Sequence, residues 1–250
     1  MKTRRGVGLG LVLLLALGAC TADSETSPEP SAPSPTSTIQ DVLALEKFAH
    51  LEPGTYFIDP DLDPSTPLRV VYEVPEGWTQ WFGAVKFRDD RHVMVNITTV
   101  TNLVSHGCTD PSWQDPPVGP SVDDLATALA DLAPFRVTSP PEDVTIYGYR
   151  GKHLELTVPD LEVVGTQDDR RFAGCTDGNL NSWVAPIDVQ EGEGGAFHAY
   201  NDTPPGDTEE FWILDVDGTR LVIEALSLPS SPPEDVAEMR AILDSIRIEP

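Results

Sequence analysis

The chain is poor in several things, and each shortage removes a class of function. It has only four lysines, Lys2, Lys47, Lys86 and Lys152, and its 16 basic residues face 41 acidic ones, for a formal net charge of −25. A surface of that sign repels nucleic-acid phosphates and anionic lipid headgroups, so no nucleic-acid partner and no polybasic membrane contact are expected. The charge itself is what a soluble surface needs. Cysteine is limited to Cys20, Cys108 and Cys175, which leaves room for at most one internal disulfide. The five histidines, His50, His92, His106, His153 and His198, form no His-x-x-x-His or His-Glu-x-x-His pair, so the helical zinc motifs are missing. There is no Gly-x-Ser-x-Gly elbow and no Ser-x-x-Lys, which removes the common serine-hydrolase signatures. Gly148 to Lys152 lacks the spacing of a phosphate loop and reads as a hairpin turn. No apolar run reaches the ~20 residues that a membrane-spanning helix needs, and no repeat recurs at solenoid or propeller spacing.

The most organised stretch is at the start. Lys2, Arg4 and Arg5 precede an apolar run from Val7 to Leu17, which ends in Leu17-Gly18-Ala19-Cys20. A charged region, an apolar region and small residues at a cut site fit a secretory signal. With cysteine directly after the small residues, residues 1–20 resemble a bacterial lipoprotein signal. The resemblance implies cleavage before Cys20 and lipid on its thiol, hence a protein held at the outer face of the cell membrane. Two or more acyl chains give a stable anchor. Loss of residues 1–20 would remove three cations and no acid, taking the formal charge from −25 to −28. Residues 21–38 are Ser, Thr and Pro with a few acids and no apolar periodicity. Such a segment cannot bury enough surface to offset its ordering entropy, so it reads as a disordered, extended tether. Residues 39–250 are expected to form a single globular domain.

Within that domain Ile39 to Leu51 reads as a loose helix closed by Pro53-Gly54. Strands are expected at Tyr56 to Ile58, Leu68 to Val74, Trp81 to Phe87 and His92 to Val100, the last three as a meander. Ser105 to Pro120, with four prolines, reads as irregular. Ser121 to Leu132 is the clearest helix: Ser121 and Asp124 make a capping box, Val122, Leu125, Leu129 and Leu132 make an apolar face, and Pro134 follows. After a proline-rich link, Val144 to Tyr149 and Lys152 to Val158 read as a hairpin around Arg150-Gly151, with His153, Glu155 and Thr157 on its polar face. Residues 159–182 read as a polar excursion. Short strands are expected at Trp183 to Val189 and Ala196 to Tyr200, with an acidic turn from Glu191 to Gly195 between them. Phe211 to Val216 and Thr219 to Leu226 flank Asp217-Gly218, a strong hairpin signal. Ser231, Pro232 and Glu234 then start a helix with Val236, Met239, Leu243 and Ile246 as its apolar stripe, and Ile246 to Ile248 end the chain as a strand.

Strands, an internal helix, more strands and a C-terminal helix indicate an α+β fold, an antiparallel sheet packed with two helices. The order Val74-Pro75-Glu76-Gly77-Trp78, the helix Ser121 to Leu132, the strand pair from Gly148 to Val158 and the ending Ile242-Leu243-Asp244-Ser245-Ile246 resemble the PsbP-like fold in its secreted actinobacterial lipoprotein branch. That resemblance implies a sandwich and an accessory or binding role. It carries over no catalytic residue, no cofactor and no metal.

Candidate chemistry is sparse. Cys108 and Cys175 are the thiols left once Cys20 is lipidated, and in an oxidising exterior a disulfide is the expected outcome. His106 with Cys108 as a metal site or a nucleophile pair is the alternative. Asp59, Asp61 and Asp63 alternate like the start of a calcium loop, but Pro64 stands where glycine is needed and Val70 where the closing glutamate belongs; the segment reads as an acidic turn. Trp78 and Trp212 are expected in the core, while Trp113 and Trp183 are candidates to line a groove. The expected function is a lipid-anchored, non-enzymatic module that binds an envelope ligand or protein. An envelope hydrolase without a readable motif is the alternative.

Overall fold

The computed structural model describes residues 39–63, 65–88, 91–165, 171–184 and 205–250. Cys20, the tether at 21–38, Pro64, His198, the strand expected at 196–200 and the acidic turn at 191–195 lie outside the described residues, as do most of the strand at 183–189 and the side chain of Trp183. All described residues fall in one unit, Ser37–Pro250.

The chain opens with β1 (Gln40–Asp41), a 3-10 turn (Val42–Ala44), β2 (His50–Leu51), β3 (Gly54–Ile58), β4 (Arg69–Val74), β5 (Trp78–Gln80), β6 (Gly83–Arg88), β7 (Arg91–Thr99), β8 (Asn102–His106) and β9 (Asp110–Trp113). Helix α1 (Val122–Ala130) follows, then β10 (Arg136–Ile146), β11 (Tyr149–Thr157), β12 (Val163–Val164), β13 (Arg171–Phe172), a second 3-10 turn (Thr176–Gly178) and β14 (Trp183–Val184). The chain closes with β15 (Thr208–Val216), β16 (Thr219–Ser227), α2 (Pro233–Asp244) and β17 (Arg247–Glu249). The main sheet has eight strands in the order β10-β11-β15-β16-β7-β6-β5-β2, all pairs antiparallel. A four-stranded sheet, β1-β3-β4-β17, a three-stranded sheet, β14-β8-β9, and the pair β12-β13 complete it.

This corrects the expected α+β, PsbP-like arrangement. Strands hold 48% of the described residues and helices 15%, in several sheets, so the protein is predominantly β. The excess strand lies where proline argued against it. β10 carries Pro140 and Pro141 and β9 carries Pro111, yet each is the outer strand of its sheet. An edge strand leaves one side unpaired and tolerates a residue without an N–H. The β10–β11 register also shifts between Val137 and Glu142, around the two prolines. The helix expected from Ile39 to Leu51 is instead the short β1, the 3-10 turn and β2. The expected meander is broken too, because Leu68 to Val74 joins the four-stranded sheet as β4.

Other readings hold. Asp217 and Gly218 both have positive φ, 50° and 92°, and join β15 to β16 as a two-residue turn. The neighbouring hairpin turns at Tyr147-Gly148, not at Arg150-Gly151; both turn residues again have positive φ, 55° and 89°. A tyrosine in that conformation is held from outside the turn: its hydroxyl donates to Leu243 O at 2.9 Å. Ser121 Oγ accepts from Asp124 N at 3.1 Å, and Asp124 Oδ2 accepts from Ser121 N at 3.0 Å, so the capping box starts α1 as expected. Helix α2 is capped differently, since Pro232 is its N-cap and makes no side-chain cap. Ser231 Oγ accepts from Leu228 N and donates to His92 O instead.

The main sheet is buried on both faces. On one side Val85, Met94, Leu154, Phe211, Ile213 and Val222 pack with Leu125 and Leu129 of α1. On the other, Val93, Val95, Leu214 and Ile223 pack with Met239, Ile242 and Leu243 of α2 and with Tyr56, Val70 and Tyr72 of the smaller sheet. Two-sided burial explains the near-continuous apolar runs of β7 and β16. Helix α2 is also clamped to β6 by charge. Arg88 donates to both oxygens of the buried Asp235 at 2.6 and 2.7 Å, and Lys86 lies 3.3 Å from Asp235 and 2.6 Å from Glu238. The Arg88 hydrogen bonds hold the Asp235 carboxyl below its ordinary range. Its contribution to stability is therefore present above the ordinary carboxylate pKa and is lost as pH falls through the depressed one.

Candidate functional site

A cleft of about 400 Å³ opens where three elements meet. Pro120, Ser121, Val122 and Asp123 come from the start of α1, Asp143, Arg150, Gly151 and Lys152 from the β10–β11 hairpin, and Asp215, Gly218 and Arg220 from the β15–β16 hairpin. Each hairpin is a two-residue turn, so the side chains near its end are carried on paired strands. Gly151 is where two strands leave no room: a Cβ there would sit 2.1 Å from Ile213 O. Its missing side chain lets β11 lie flat under the cleft.

The cleft holds three cations and three carboxylates in a protein where cations are scarce. Arg220 donates to three backbone carbonyls, Gly119 O, Ser121 O at 3.2 Å and Val100 O at 2.8 Å. It thereby ties the entry of α1 to the sheet, and burial pushes its pKa down. Its Nε is buried with no hydrogen-bond partner among the described residues. Lys152 is shared between Asp143, at 2.7 Å, and Asp123, at 3.0 Å. The Asp143 hydrogen bond raises the Lys152 pKa and lowers that of Asp143. Asp215 Oδ1 accepts from Gly218 N at 2.9 Å. Arg150 is exposed and forms no ion pair among the described residues. A single ligand with an anionic and a cationic group would meet both halves of this lining.

A second polar group lies on the opposite face of β11. His153, Glu155 and Glu210 each offer one ligand atom, all within 4.8 Å of one another. Trp212 lies against the imidazole with ring centroids 5.1 Å apart. The third feature is Glu224, buried in the middle of the main sheet. Asn96 Nδ2 donates to its Oε2 at 3.2 Å, and burial pushes its pKa up to about 8.

The residues singled out by sequence separate clearly. Cys108 and Cys175 form a disulfide. The loops it joins are also bonded to each other directly, Thr176 N donating to Cys108 O at 2.7 Å and Asn181 N to Gly107 O at 2.8 Å. His106 is not beside a thiol: its Nδ1 accepts from Cys108 N and Thr109 N, both at 3.1 Å, and serves the turn. In the acidic turn Asp61 Oδ1 accepts from Asp63 N and Asp63 Oδ1 from Ser65 N, so these carboxylates hold the turn itself. Asp59 is raised to about 6 by burial and by the neighbouring Asp61. Trp78 is core, as expected, and donates from Nε1 to Glu238 at 3.0 Å. Trp113 packs half-buried against the first core and does not line the cleft. Among the described residues, no helix is long and apolar enough to cross a membrane. No family model matches the chain, and no curated protein matches it.

Proposed function

We propose that this protein is a lipid-anchored module of the outer membrane face, which binds a small zwitterionic ligand such as an amino acid or short peptide. The observation that carries the ligand reading is the cleft lining: an uncommitted Arg150 beside the half-buried Arg220 for an anionic group, and Asp143, Asp123 and Asp215 for a cationic one. Apart from Arg150, its carboxylates and cations are tied to one another or to backbone, an arrangement suited to holding charge rather than to moving a proton. The anchor reading rests on residues 1–20.

Each half has its own test. Replacing Cys20 with Ala should move the protein from the membrane fraction to the medium, or leave the signal uncut. Unchanged membrane retention with an unchanged mature mass would refute the anchor. For the ligand, the full chain should be melted with α-amino acids and short peptides, using matching carboxylic acids and amines as single-charge controls. Ligand at 100 times its Kd stabilises by about 2.7 kcal/mol, so the zwitterions should raise the melting temperature by several degrees while the controls do not. Equal shifts from the carboxylic acids alone would replace the zwitterion with a simple anion.

A further inference from the structure

We propose that His153, Glu155 and Glu210 form a binding site for a divalent first-row metal ion of the zinc class, separate from the cleft. Three observations converge on it. The first is register: Glu155 on β11 lies directly opposite Glu210 on β15, and like charges directly opposed across an antiparallel pair repel. The second is the histidine. Its Nδ1 faces Glu142 Oε1 at 3.6 Å, while its Nε2 faces Glu210 Oε2 at 3.7 Å and is buried with no hydrogen-bond partner. With the proton on Nδ1, towards Glu142, the Nε2 lone pair faces the two glutamates. Three electron-pair donors then converge on one point, and a cation between them removes the conflict.

The third observation is the donor set and its surroundings. One imidazole and two carboxylates suit zinc, with bonds near 2.0–2.2 Å and ligand atoms about 3.2–3.5 Å apart around a tetrahedral ion. The present 3.7 Å between His153 and Glu210 needs little closure. Three protein ligands leave one position for water or an outside ligand. Trp212 covers one side of the imidazole. Arg240, from α2, donates to both oxygens of Glu210, with Nη1 at 2.9 Å from Oε2. On metal binding Oε2 turns to the ion while Oε1 keeps the guanidinium, which becomes an outer partner that orients the ligand. Arg240 thus competes with the metal for one oxygen and helps to hold the other.

The test uses the full chain without a polyhistidine tag, stripped with chelator and titrated with Zn²⁺ against a chromophoric chelator. One equivalent should bind. His153→Ala should lower the affinity by more than about 100-fold, and Glu142→Gln, which changes only the outer partner of His153, by about 10-fold. Glu155→Gln removes one exposed-side ligand without disturbing the core, and serves if His153→Ala does not fold; it too should weaken binding. Co²⁺ should give the visible absorption of a four- or five-coordinate site in the native chain and lose it in both ligand variants. Absence of stoichiometric Zn²⁺ uptake would overturn the proposal. Uptake unchanged in His153→Ala and Glu155→Gln would overturn it equally.

Discussion

Replacing Glu224 with Gln should stabilise the protein at pH 8 and leave it nearly unchanged at pH 4.5. Glu224 lies on the central strand β16 with Phe211 opposite it on one neighbour and Asn96 on the other, within the core under α1. Burial raises its pKa from the ordinary 4.5 to about 8. A carboxyl with a raised folded pKa favours folding fully only below its unfolded value. As pH climbs from about 4.5 to about 8 the unfolded chain gives up this proton and the native chain does not, so stability falls across that window. Each tenfold change in proton affinity corresponds to ~1.4 kcal/mol, and about three such steps are realised at pH 8, which puts the gain for the neutral variant on the order of 4 kcal/mol. Gln keeps a carbonyl oxygen for the Asn96 Nδ2 hydrogen bond, so the packing is preserved. Urea unfolding of the two chains at several pH values measures the difference. A variant that is less stable than the native chain at every pH, with the same pH slope, would show that Glu224 is ionised and paired in the native state.

The second large effect belongs to the disulfide. Cys108 and Cys175 are 67 residues apart, and the closed loop contains α1 and the β10–β11 hairpin. Opening it frees that much unfolded chain, a loss of ~4 kcal/mol by the loop-entropy relation. For a domain of this size the melting temperature should fall by about 10 °C. The double variant Cys108→Ala/Cys175→Ala isolates the effect from thiol chemistry. The direct hydrogen bonds between the two loops remain in it, Thr176 N to Cys108 O and Asn181 N to Gly107 O among them, so the fold should survive with a lower midpoint. A melting temperature within about 2 °C of the native one would show that those bonds, and not the crosslink, hold the two segments together.

Local chemistry was readable in the sequence where one short segment decides the outcome. Asp217-Gly218 states its own turn, and Ser121 with Asp124 states the start of α1, because each signal and its hydrogen-bonding partner lie within a few residues. Sheet membership is another matter. Pro140, Pro141 and Pro111 forbid a central strand but not an outer one, and only the finished sheet order tells the two apart. Tyr147 sits at positive φ in the turn, and its hydroxyl donates to Leu243, 96 residues away, a partner that no local signal announces. Cys108 and Cys175 pair by elimination once Cys20 is set aside, which needs no geometry. The cleft has no such shortcut: Asp123, Arg150 and Arg220 are ordinary surface residue types far apart in the chain. The metal cluster was half visible. His153 and Glu155 share a strand face by their spacing, but Glu210 joins them only through the β11–β15 register.

The central claim is that the cleft between α1 and the two hairpins takes a zwitterionic ligand. It is tested most directly by following backbone amide NMR signals of the full chain during titration with the amino acid or peptide that raises its melting temperature most. The amides of Val122, Gly151, Gly218 and their neighbours should shift in a saturable way, and Arg150→Glu should weaken binding by at least about 10-fold without changing the rest of the spectrum. Saturable shifts confined to another surface, or equal affinity in Arg150→Glu, would contradict it.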